Sequence, residues 1–135
     1  MDTPSSEPHS PAQRPSGRLN AAVSSAVVGL CSKHIGRGPT KARTTIDGNL
    51  VVVLLRDGMT TAEKNLVRAG REAEVQQLRR AFQETMRVDL VETVERLTNG
   101  KVTAFMSVSH SEPDVAAEIF VMERRVENGG VEPAA

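Results

Sequence analysis

The sequence predicts an α+β fold, a four-stranded antiparallel sheet made of two β-hairpins with helices on one face, in the order α-β-β-α-α-β-β. Three observations carry this reading. Ala42, Thr44 and Ile46 alternate with Lys41, Arg43 and Thr45, then Asp47-Gly48 supplies a tight turn and Leu50–Leu55 runs on without a polar residue. A second pair of strand-like runs, Val102–Ser109 and Val115–Met122, flanks the turn residues His110–Asp114. Between the hairpins lies a long apolar stripe at helical spacing.

The elements follow in order. Residues 1–16, with Pro4, Pro8, Pro11 and Pro15 among polar side chains, hold too little apolar surface to offset ordering entropy, so a disordered tail is expected. One domain over residues 17–124 comes next, and 125–135, with Asn128, Gly129, Gly130 and Pro133, reads as a second disordered tail. The domain opens with a helix over Gly17–Ile35, in which Leu19, Val23, Ala26, Val27, Leu30 and His34 share one side. Gly36 and Gly38-Pro39 stop it. In the first hairpin, Asp-Gly accepts the positive φ angles of a type I′ turn. Its second strand is apolar on both faces and calls for cover on both, by helices on one side and by something else, such as a second subunit, on the other.

Thr60 followed by Glu63 is a capping box, which starts a helix at Thr61. That helix loosens at Gly70 and resumes as a long one to Thr98, with Val75, Leu78, Phe82, Met86, Leu90, Val94 and Leu97 as its apolar stripe. Asn99-Gly100 ends it.

Composition narrows the function classes. At 135 residues the chain closes one core without disulfides or a structural metal. Seventeen basic and seventeen acidic residues cancel, and there are three Phe with no Tyr or Trp, so neither a global field nor stacking platforms favour nucleic acid as a partner. The charge is unevenly placed: Arg14 to Arg43 is basic, and the chain beyond Ser111 is mostly acidic. The simplest use of two such ends is for them to meet in the fold or in a dimer. Cys31 stands alone, so no internal disulfide or Cys-based zinc site forms, and a small apolar role in the core is expected. No apolar run reaches the ~18 residues of a membrane span, and the N-terminus lacks signal-peptide character. A cytoplasmic protein without direct membrane insertion is expected.

The candidate chemistry is sparse. His9, His34 and His110 show no metal-ligand spacing. His34 reads as a helix-end residue near terminal carbonyls, and His110 as a turn histidine beside Glu112 and Asp114. There is no GxSxG elbow, and Gly36-Arg37-Gly38-Pro39-Thr40-Lys41 lacks the spacing and the strand-to-helix context of a phosphate loop. Arg79-Arg80 reads as a solvated helix face. No catalytic residue, metal or cofactor is therefore expected. Arg37, Lys41, Arg43, His110 and Asp114 remain as candidate contacts for a ligand or partner.

Gly36-Arg37-Gly38-Pro39, Met59-Thr60-Thr61-Ala62-Glu63-Lys64, and Phe105-Met106-Ser107 through His110 and Pro113-Asp114 to Glu118-Ile119-Phe120-Val121 together resemble the MpsC-like family. That family, first catalogued as a domain of unknown function, takes its name from a component of a Na+-translocating, membrane-potential-generating system. The resemblance runs from about Leu19 to Glu123. It implies a non-catalytic, soluble accessory protein that works with membrane-protein partner subunits, and together with the two-sided apolar strand Leu50–Leu55 it points to a homodimer. The alternative is a regulatory module sensing a small anion through Arg37, Lys41, Arg43 and His110. Where family members carry Arg-Pro-Glu-Leu this chain has Arg87-Val88-Asp89-Leu90, and losing the proline leaves the long helix straighter.

Overall fold

The first hairpin joins β1 (Lys41–Asp47) to β2 (Leu50–Arg56), with Asp47 paired to Leu50. Its two-residue loop is therefore Gly48-Asn49, one residue later than the Asp-Gly signal suggests. Only Gly48 in that loop takes a positive φ, of 62°. One left-handed residue in the first loop position is the signature of a type II′ turn, so glycine is needed there and the type I′ expectation is corrected. The computed structural model describes residues 17–127, and the expected tails at 1–16 and from 128 onward lie outside the described residues.

The element order is the one expected: α1 (Gly17–Ile35), β1, β2, α2 (Thr61–Arg68), α3 (Glu72–Thr98), β3 (Val102–His110) and β4 (Val115–Met122). The strands form one antiparallel sheet of four in the order β1-β2-β4-β3, so β2 and β4 lie at its centre. α1 and α3 cover one face. Leu19, Val23, Val27 and Cys31 of α1 and Met86, Leu90 and Val94 of α3 close over Val51, Val53, Leu55, Phe120 and Met122. With so few aromatics, the one ring pair in this core is Phe105 with Phe120, at 5.0 Å between centroids.

Each helix end has its local cause. Gly36 leaves α1 with φ 89°, a conformation a Cβ would disfavour. The capping box forms in full: Thr60 Oγ1 accepts from the Glu63 amide at 3.2 Å, and Glu63 Oε1 accepts from the Thr60 amide at 2.8 Å. α3 runs unbroken for 27 residues through Arg87-Val88-Asp89-Leu90, and left-handed Asn99 ends it. Gln76 of α3 ties the helix to the second hairpin through Ser111 Oγ at 2.7 Å and Ser109 Oγ at 3.3 Å.

The far side of the sheet is the face for which the sequence calls for cover by something other than the helices. The run Leu50–Leu55 calls for cover on both faces, yet among the described residues only the helix side is covered. A β-bulge between Val102 and Ala104 shifts the alternation of β3. Beyond it Phe105, Ser107 and Ser109 face the helices, while Ala104, Met106 and Val108 face outward. Register then builds apolar rows across the outer face: Val52–Ile119–Met106, Leu54–Ala117–Val108 and Leu50–Val121–Ala104. Met106 is 49% exposed and Val108 57%.

At the C-terminal end, order extends past the boundary that composition places at residue 125. Val126 is buried, and its amide donates to the Gly48 carbonyl at 2.8 Å. His34 also departs from its expected role, because Nε2 meets Asp89 Oδ2 at 2.9 Å and joins α1 to α3 in place of capping carbonyls.

Candidate functional site

Where the C-terminus of α1, the middle of α3 and the ends of β2 and β4 converge, the helix layer does not fully close on the sheet. The cleft left there encloses about 30 Å³. Apolar walls come from Cys31, Ile35, Leu55, Met59, Phe82 and Met86, and the charged or titratable groups besides Cys31 are Arg37, Arg79, His110, Asp114 and Glu118, with Gln83 and Ser109 as neutral polar neighbours. Those polar groups divide into a buried floor and a rim.

Arg79 and Glu118 form the floor. Alternation along β4 turns Ala116, Glu118, Phe120 and Met122 toward the helices, so a carboxylate occupies a core position with 5% exposure. No hydrogen-bond partner reaches its buried Oε1. Burial pushes the Glu118 carboxyl up to about 7, against the opposing pull of the Ser107 hydroxyl and the Arg79 charge. Ser107 sits directly across the strand pair from Glu118, yet its own Oγ is also buried outside hydrogen-bond geometry.

Arg79 is buried as well, 9% exposed, which corrects the reading of Arg79-Arg80 as a solvated face. Only Arg80 is exposed. The guanidinium donates from Nη2 to Glu63 Oε1 at 2.9 Å and to the Gly58 carbonyl at 2.9 Å, while its Nε finds no acceptor. Glu63, 2% exposed, thus serves two masters: it completes the cap of α2 and neutralises Arg79. The Cys31 thiol, raised to about 11 first by burial and then by the nearby Glu118 charge, stays protonated and acts as an apolar wall, as expected of a lone core cysteine.

The rim gathers three of the five candidate contacts: Arg37, His110 and Asp114 all line the cleft. Arg37 Nη2 donates to the Asp57 carbonyl at 3.0 Å and approaches Asp57 Oδ2 at 3.3 Å, leaving Nε buried without an acceptor. Lys64 and Thr40 also reach Asp57, at 3.1 and 3.2 Å, and the Lys64 hydrogen bond leads in holding that carboxyl below its ordinary range. Asp114 Oδ2 accepts the Met59 amide at 2.9 Å, and the Asp114 carbonyl accepts the Asp57 amide at 3.0 Å, so the turn after β3 clamps the loop after β2. His110 is the last residue of β3, beside the turn in which the sequence places it, and its Nδ1–H donates to the Pro113 carbonyl at 2.9 Å.

Lys41 and Arg43 do not join this group. Both are exposed and alternate with core-facing Ala42 and Thr44, which sends them to the open face of the sheet. The basic N-terminal stretch and the acidic C-terminal one do not meet through Arg37 either, since its ion pair goes to Asp57.

Sequence reasoning missed Glu118 and Arg79. For Glu118 the signal was present, an acid in phase with Ala116, Phe120 and Met122 on a central strand. Arg79 was concealed because the stripe of α3 passes equally well through Leu78, its neighbour, which is 41% exposed.

Among the described residues no group of three or more His, Cys, Asp or Glu converges to hold a metal, and no helix is long and apolar enough to cross a membrane. A family model described as a Na+-translocating membrane potential-generating system (MpsC) matches residues 16–124. No curated protein and no solved structure matches the chain.

Proposed function

The chain belongs to the MpsC family, and from that premise we propose that it is a non-catalytic, cytoplasmic accessory subunit of a Na+-translocating system, working as a homodimer beside membrane-embedded partners. The observation that carries the association is the open face of the sheet. Three apolar rows cross three strands there, a continuous apolar patch of the kind that marks interaction surfaces.

A second copy suits this surface better than a lipid or a charged partner. The edge strand β1 presents Arg43, Thr45 and Asp47 beside the apolar rows. A two-fold axis running across the strands lays β1 over β1 with its ends exchanged, which brings Arg43 of each chain over Asp47 of the other. The same axis sets the Val52–Ile119–Met106 row against its own copy. Self-complementarity of this kind is what an isologous dimer requires. The anion-sensing alternative loses Lys41 and Arg43 to the other face, and Arg37 already shares Asp57 with Lys64.

The Met106→Lys variant tests the dimer, since it would set two ammonium groups against each other on the axis. Helical and strand content by circular dichroism should stay native while the mass in solution halves. A variant that unfolds, or one that keeps the mass of the unmodified chain, contradicts the proposal. The role in transport is tested by Na+-dependent membrane potential in cells that have and lack the chain, and an unchanged potential speaks against it.

A further inference from the structure

We propose that the cleft between α1, α3 and the ends of β2 and β4 is a binding site for a primary alkylammonium group, with Glu118 as its deep anchor. The site stands on geometry first. Glu118 is a buried carboxylate whose Oε1 has no hydrogen-bond partner, and it lines a void of about 30 Å³. That volume is about twice the ~10–15 Å³ needed for one water, enough for an ammonium head and its first methylene. Met86 and Met59 supply an apolar, deformable wall along which an alkyl chain can lie.

Charge selects the sign of the ligand. Arg79 and Arg37 line the cleft; Arg79 is paired with Glu63, and Arg37 shares Asp57 with Lys64. Asp114 and Glu118 form no ion pair among the described residues. Three cations, Arg37, Lys64 and Arg79, thus stand against four carboxylates, Asp57, Glu63, Asp114 and Glu118, so one negative charge is in excess in and around the cleft once Glu118 is ionised. An ammonium supplies a positive charge and N–H donors, which are what an orphaned carboxylate oxygen lacks.

Titration gives the site a signature. The titratable and charged groups facing Glu118 are Cys31 from α1, Arg79 from α3, and Arg37, His110 and Asp114 along the rim. An alkylammonium keeps its charge between pH 6 and pH 8 and binds the ionised carboxylate. Occupancy thus competes with the proton that burial favours on Glu118, and binding strengthens as pH rises. With the carboxyl at about 7, the ionised fraction grows about tenfold from pH 6 to pH 8, and the affinity grows with it.

Methionine-methyl NMR of the full chain, titrated with n-propylammonium chloride, tests this. Saturable shifts are expected at Met59 and Met86, with an apparent Kd about tenfold lower at pH 8 than at pH 6. Tetramethylammonium, which has no N–H, should produce none. The near-isosteric Glu118→Gln variant, checked for native fold by circular dichroism, should lose both the affinity and its pH dependence. If that variant does not fold, the pH dependence and the methyl shifts of the unmodified chain decide alone. Absence of saturable shifts at pH 8, an equal response to tetramethylammonium, or retained affinity in Glu118→Gln overturns the proposal. So does tighter binding of acetate at pH 6, which would assign the cleft to carboxylates.

Discussion

Glu118 occupies a position that its strand reserves for an apolar side chain, and the cost falls on folding. Its carboxyl, near 7 when folded against an ordinary 4.5, keeps its proton in the native state over a range where the unfolded chain has released it. Below pH 4.5 both states are protonated and the group is neutral in its effect. As pH rises from about 4.5 to about 7 unfolding sheds a proton, so stability falls, and above 7 the full penalty persists. From this group alone the loss approaches roughly 3 kcal/mol. Urea unfolding at pH 5 and pH 8 should show the decline in the unmodified chain and a flattened dependence in Glu118→Gln, whereas equal slopes would contradict the assignment. Such residues were legible only in part. Alternation along β4 marks Glu118 plainly, but adjacent residues of a helix lie only ~100° apart, which is why the stripe of α3 could be drawn through Leu78 in place of Arg79.

Among the elements, α2 depends most on its neighbours. Eight residues are too few for an isolated helix to persist. It holds because its capping box is also an ion pair with α3. Replacing Glu63 by Ala removes the Glu63 half of the capping box and leaves the Arg79 guanidinium buried without its carboxylate, a loss expected to cost about 3–5 kcal/mol. Pairing Glu63→Met with Arg79→Met should recover most of that by substituting apolar contact for the buried charges. Chemical denaturation of the single and double variants checks this, and a double variant no more stable than Glu63→Ala would refute it. The capping box was readable from Thr60 and Glu63 because its spacing is local. Its partner was not, since Arg79 lies sixteen residues further on and only tertiary packing brings the two together. The turn of the first hairpin shows the same limit. Asp-Gly announced a tight turn, but the pairing of Asp47 with Leu50 decided which residues occupy it.

At the scale of the whole molecule, two hairpins around a long helix were enough to read the class and the order of elements. The placement of β2 and β4 at the centre follows from pairings between distant strands, which no local pattern encodes. The cleft escaped notice for the same reason, as its groups come from α1, α3, both hairpins and two loops. Apolarity on both faces of Leu50–Leu55 was plain in the sequence, and the structure shows one of those faces uncovered within a single chain. Light scattering coupled to gel filtration at micromolar concentration asks most directly what covers it. The dimer account expects a particle of twice the 14.6 kDa of one chain, and a clean single-chain mass would contradict it.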